Sequence, residues 1–109
     1  MGPALRTNIA CTVNVECAHR SAEGGLHGHS YLVEIWSTAG GDLLQYEAAM
    51  KRIAARVDHT LAETVIGDPS MEALGRWFAE QGTSAGWMVV RVVVRRPTLG
   101  YAVEVLIAA

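Results

Sequence analysis

Three of the four histidines in this chain lie within a short run: His19 in Ala18-His19-Arg20, then His27 and His29 in Leu26-His27-Gly28-His29-Ser30. In an extended segment successive side chains alternate faces, so His27 and His29 point the same way and can each offer a ring nitrogen to one ion. His19 completes a three-nitrogen set if the chain turns back between the two segments, which Gly24 and Gly25 permit. Three imidazoles with a fourth position left for water or substrate is the pattern of catalytic zinc. Surface histidines in an H-x-H pair also occur with no ligand, so the spacing needs support from the rest of the chain.

Other polar groups could join such chemistry. Asp58-His59 is an acid–imidazole pair in which the carboxylate could fix the ring's tautomer and raise its basicity, as a proton relay requires, although an ordinary polar helix end would look the same. Glu23, four residues before His27, could be a general base, a weak fourth ligand or a solvated loop residue. Glu72 could bind a ligand or simply favour a helix N-terminus. Arg91, Arg95 and Arg96 form a small cationic group that could hold a phosphate or carboxylate, or be a solvated strand end.

The elements that must position these residues can be read from periodicity. Asn8 to Cys17 alternates Cys11, Val13, Val15 and Cys17 against Thr12, Asn14 and Glu16, which predicts a strand with one polar face. If that alternation runs on, His19 shares the face of Val15 and Cys17. A second strand is expected from about His29 to Ser37, with Tyr31, Val33 and Ile35 on one face. Asp42 is a candidate N-cap for a helix with Leu43, Tyr46, Met50, Ile53 and Val57 in one stripe. Residues 58–67 read as loop. Asp68-Pro69 then suggests an N-cap and first helical position for a second helix, with Met71, Leu74, Trp77 and Phe78 on one side and Gly82 beyond its end.

Trp87–Val94 and Tyr101–Ile107 are β-branched and predict two more strands, joined by a turn over Arg95–Gly100. The order is ββααββ, an α+β domain spanning residues 1–109, with a four-stranded antiparallel sheet and two helices on one face. The apolar run around Val89–Val94 suggests cover on both faces.

Composition narrows the function. Of 109 residues half are apolar and 18% are charged, a lean surface for a small monomer that favours an oligomer. A net charge of −2, without a basic patch interleaved with aromatics, argues against nucleic-acid partners and anionic membranes. No stretch reaches the roughly 18 apolar residues that span a bilayer, and no leader is evident. Two cysteines, Cys11 and Cys17, do not make a disulfide framework, so a soluble protein of the cytoplasm is expected.

Taken in order, Ala18-His19-Arg20, Leu26-His27-Gly28-His29-Ser30-Tyr31, Val57-Asp58-His59 and Asp68-Pro69-Ser70-Met71-Glu72 resemble the 6-pyruvoyl-tetrahydropterin synthase and 6-carboxy-tetrahydropterin synthase family over nearly the whole chain. The resemblance implies a tunnelling fold (T-fold), a homohexamer built as a dimer of trimers with active sites between subunits, Zn²⁺ on His19, His27 and His29, and a small pterin-like substrate such as dihydroneopterin triphosphate. It also implies a proton-moving set that includes Asp58 and His59. The family's catalytic cysteine falls at Glu23; a branch with glutamate there removes the side chain to leave 6-hydroxymethyl-dihydropterin, which makes Glu23 a candidate base. The family's pterin-anchoring glutamate falls at Arg95, and arginine has donors only. Glu72 remains a candidate ring contact. Two functions follow: a zinc-dependent carbon–oxygen or carbon–carbon lyase with Glu23, Asp58 and His59 as catalytic groups, or a repurposed member that binds a heterocyclic or anionic ligand without converting it.

Overall fold

The computed structural model describes residues 2–20, 25–38 and 41–108. Two long strands, β1 (Asn8–Arg20) and β2 (Leu26–Thr38), form an antiparallel pair in register along their whole length, from Asn8 opposite Thr38 to Arg20 opposite Leu26. Both outrun the expected bounds because the alternation of apolar and polar residues continues through the histidines. β3 (Val89–Arg96) pairs with only the Leu32–Ser37 half of β2, and β4 (Tyr101–Leu106) completes the sheet in the order β1-β2-β3-β4. The Leu26–Tyr31 half of β2 therefore extends beyond β3, and the molecule is elongated, 60 × 24 × 23 Å.

The helices α1 (Leu43–Ala55) and α3 (Met71–Ser84) cover one sheet face. Asp42 caps α1, its carboxylate accepting from the Leu44 N–H at 2.8 Å. Tyr46, Met50 and Ile53 are buried, as is Val57 just past the helix, whereas Leu43 lies exposed. The Tyr46 hydroxyl donates to the Ile35 carbonyl at 2.9 Å and meets the Ser37 hydroxyl at 2.8 Å, so the buried polar atoms that join α1 to β2 are paired.

Three local expectations are corrected. Residues 58–67 are not all loop: α2 (Ala62–Val65) is a short helix within them. α3 is capped by Ser70, whose hydroxyl accepts from the Ala73 N–H, while Asp68 accepts from the Ser70 N–H one turn earlier. Gly82 lies inside α3, where a Cβ would stand 2.7 Å from Val89 Cγ2; the glycine is there for close helix–strand approach.

The core joins Val13, Val15, Tyr31, Val33, Ile35, Val92 and Val94 of the sheet to Met50, Leu74, Trp77 and Phe78 of the helices. On the opposite face Val93 is also buried, flanked in register by Glu34 and Glu104. Arg91 binds Glu104 at 2.6 Å there and lies over the Trp36 ring. Among the described residues no helix is long and apolar enough to cross a membrane.

Candidate functional site

The histidines continue the core face past the point where helices cover it. Since His27 and His29 keep the phase of Tyr31, Val33 and Ile35, and His19 keeps that of Val15 and Cys17, all three rings stand on one side of the hairpin. His19 lies directly opposite His27, and Cys17 opposite His29. The His19 and His29 rings stack at 4.6 Å, and their Nε2 atoms are 2.6 Å apart, a separation at which one ring donates its proton to the other. The His27 ring is 6.0 Å from that of His19 and 6.4 Å from that of His29.

Removal from water, and then the positive charges of Arg96, His19 and His27, push the His29 pKa down. The ring is thereby kept neutral, the state a metal ligand needs.

Three imidazoles on one face suit zinc by donor type. Tetrahedral zinc would hold ligand nitrogens about 3.3 Å apart, so His19 and His29 need part by less than about 1 Å. His27 must also turn inward, because among the described residues no group of three or more His, Cys, Asp or Glu is already arranged to hold a metal. The donor types fit zinc, and His19, His27 and His29 are the residues that would hold it.

Asp58 and His59 reach this end of the hairpin through an extra edge pairing. After α1 the chain runs alongside β1: the His59 N–H donates to the Glu16 carbonyl, the Ala18 N–H donates to the Thr60 carbonyl at 2.9 Å, and Ala18 and Leu61 form a parallel bridge. Asp58 Oδ1 accepts from the Glu16 N–H at 2.8 Å, and Oδ2 faces His59 Nδ1 at 2.9 Å. Partial burial raises the Asp58 pKa, but these hydrogen bonds and the His59 charge outweigh it and hold the carboxyl below its usual value. His59 adopts a positive φ of 57°, an unusual backbone state for a residue with a Cβ and one that clusters at functional sites. Glu63 of α2 fastens the same end, accepting from the Arg20 N–H at 2.6 Å.

An open cleft of about 530 Å³ is lined by residues 59–61 and by the hairpin. Besides Cys17 and His29 the hairpin supplies Glu16, Ala18, Arg20, Leu26, Gly28 and Ser30, which alternate to the face away from the histidines, and neither His19 nor His27 lines the cleft. Burial, then the nearby Asp58 and Glu16 charges, push the Cys17 thiol up to about 11. It is protonated at neutral pH and unsuited to act as a nucleophile.

The structure thus gathers His19, His27, His29, Asp58 and His59 around one end of the hairpin. Glu23 lies outside the described residues. Arg95 is not brought to this group: it pairs with Leu32 and Ala102, and is exposed on the face away from the histidines. Glu72 is exposed in the first turn of α3 and does not line the cleft. Sequence reading named Arg96 only as one of a cationic group and misplaced it. It was expected in a turn, but β3 runs through it, and counting by twos from Val92 and Val94 puts it on the histidine face. Its guanidinium carbon lies 5.9 Å from the centre of the Tyr31 ring.

A four-stranded antiparallel sheet with its helices on one face and a long protruding hairpin is the tunnelling fold. Among solved structures, the Caenorhabditis elegans 6-pyruvoyl tetrahydropterin synthase shares it with a TM-score of 0.77 at 14% identity, over 99% of this chain and 100% of that one. The Plasmodium falciparum 6-pyruvoyl tetrahydropterin synthase matches with a TM-score of 0.61 at 16% identity, over 94% and 99% of the two chains. No curated protein matches by sequence. Residues 7–105 match the family described as 6-pyruvoyl tetrahydropterin synthase, and the chain belongs to that family.

Proposed function

We propose that this protein is a zinc-dependent carbon–oxygen or carbon–carbon lyase acting on a dihydroneopterin triphosphate-like or related heterocycle. The observation that carries the reading is the hairpin face that holds His19, His27 and His29 together, with the Asp58–His59 pair docked along the neighbouring edge of β1. Held by His19, His27 and His29, Zn²⁺ would polarise a hydroxyl or carbonyl of the substrate side chain and acidify the adjacent C–H or O–H.

The proton work falls to the chain's own groups. Asp58 Oδ2 accepts a hydrogen bond from His59 Nδ1–H, which fixes the tautomer and leaves the Nε2 lone pair free to take a proton. Because Asp58 is itself held by the Glu16 N–H, the carboxylate keeps its place as the ring gains and loses a proton. Glu23 serves as the second base, in place of a thiolate. The connection that carries it joins Arg20 to Leu26, both of which line the cleft.

Glu72 and Arg95, exposed and away from this chain's cleft, would contact substrate across a subunit boundary in a homohexamer. The β4 edge and the Asn8–Asn14 part of the β1 edge, which pair with no other strand among the described residues, support such an assembly. Two free thiols suit a reducing cytoplasm. Arg95 favours a second reading, ligand binding without conversion, since a guanidinium cannot accept hydrogen bonds from a pterin.

The deciding experiment is turnover of dihydroneopterin triphosphate by the purified chain and by Glu23→Gln and His59→Gln. Each substitution is expected to lower the rate about 100-fold or more, the usual range for a lost acid–base group. Full activity in Glu23→Gln would remove that residue from the mechanism, and pterin binding with no conversion would select the second reading.

A further inference from the structure

Arg96 has no part in the reading just given, yet it stands on the face where that reading places the substrate. It follows Val92 and Val94 on the core side of β3, next to Tyr31, and the His29 ring also meets Tyr31, with centroids 6.0 Å apart. Its Nε is buried without a hydrogen-bond partner, and the guanidinium makes no ion pair among the described residues. A buried N–H donor left unpaired costs about 1–3 kcal/mol, so a partner that supplies acceptors is favoured. A guanidinium matches an oxyanion, carboxylate or phosphate, with paired N–H donors.

We propose that Arg96 binds an oxyanion carried by the substrate, beside the histidine group, and so selects heterocycles with a carboxylate or phosphate substituent. The inference rests on the pterin reading for the ring, but not for the anion. The Tyr31 ring lies against the guanidinium. Arg95, one residue earlier, faces the opposite side of the sheet and cannot share this role within the same subunit.

The test is fluorescence titration of the full chain, Arg96→Gln and Arg96→Lys with pterin-6-carboxylate and with unsubstituted pterin, alongside calorimetric titration with inorganic tripolyphosphate. The wild type should prefer the carboxylate to plain pterin. Arg96→Gln should bind the carboxylate roughly 10- to 100-fold more weakly, with plain pterin changed less than about threefold. Arg96→Lys, which keeps the charge but not the fork, should fall between and serves if the glutamine variant does not fold. Equal carboxylate affinity in wild type and variants overturns the proposal. If neither pterin binds, the pterin reading fails, and tripolyphosphate then decides: binding lost in Arg96→Gln supports the arginine's role, and binding unchanged or absent in the wild type ends it. Carboxylate and phosphate as the natural oxyanion are separated by which titration Arg96 controls.

Discussion

At the scale of single residues, the cleft separates groups that can move protons from groups that only look as if they could. Cys17 lines the cleft, but its thiol, raised to about 11, stays protonated. Cys17→Ala should therefore leave turnover within about twofold of wild type, at a stability cost of about 1–2 kcal/mol for the lost packing. A folded variant without activity would show that the sulfur takes part. Asp58 behaves in the opposite way. Its folded-state pKa lies below the ordinary value of about 4, so its stabilisation is complete above that pH and is lost as pH falls through the lower, folded value. Thermal unfolding between pH 6 and pH 2 should show the gap between wild type and Asp58→Asn closing as acid is added. A gap that does not vary with pH would mean that the carboxylate's charge contributes nothing to holding His59 in place.

At the scale of elements, what was legible in the sequence is what period and capping record. The alternation through Val13, Val15 and Cys17, the helix stripe of Tyr46, Met50 and Ile53, and the ββααββ order carried over because each depends on neighbours close in sequence. The three histidines were legible for the same reason. The pairing of residues 58–61 with the edge of β1 was not, since nothing local marks a loop that docks forty residues away. The separate faces of Arg95 and Arg96 were not legible because the turn was placed two residues too early, which grouped together two side chains that the strand's alternation sends to opposite sides. Gly82 shows why propensity misleads here. On propensity alone Gly82→Ala should stabilise α3 by about 1 kcal/mol, yet the new Cβ would meet Val89 Cγ2 at 2.7 Å. Chemical denaturation should show a loss of about 1–3 kcal/mol, relieved when Val89→Ala is added. A more stable single variant would mean that the helix and strand can part without cost.

At the scale of the whole molecule, the fold sets chemistry at one end of a long hairpin and leaves strand edges open. Half of β2 extends beyond β3, and the helices cover the other half, so the histidine face is open to solvent in the single chain. The proposed activity depends above all on the ion. Metal analysis of the purified chain by mass spectrometry should find about one zinc per chain, falling to a small fraction in His29→Ala while the circular dichroism spectrum stays native. Absence of zinc from wild type purified without chelators and supplied with the metal, or equal zinc in His29→Ala, would contradict the assignment of His19, His27 and His29 as its ligands.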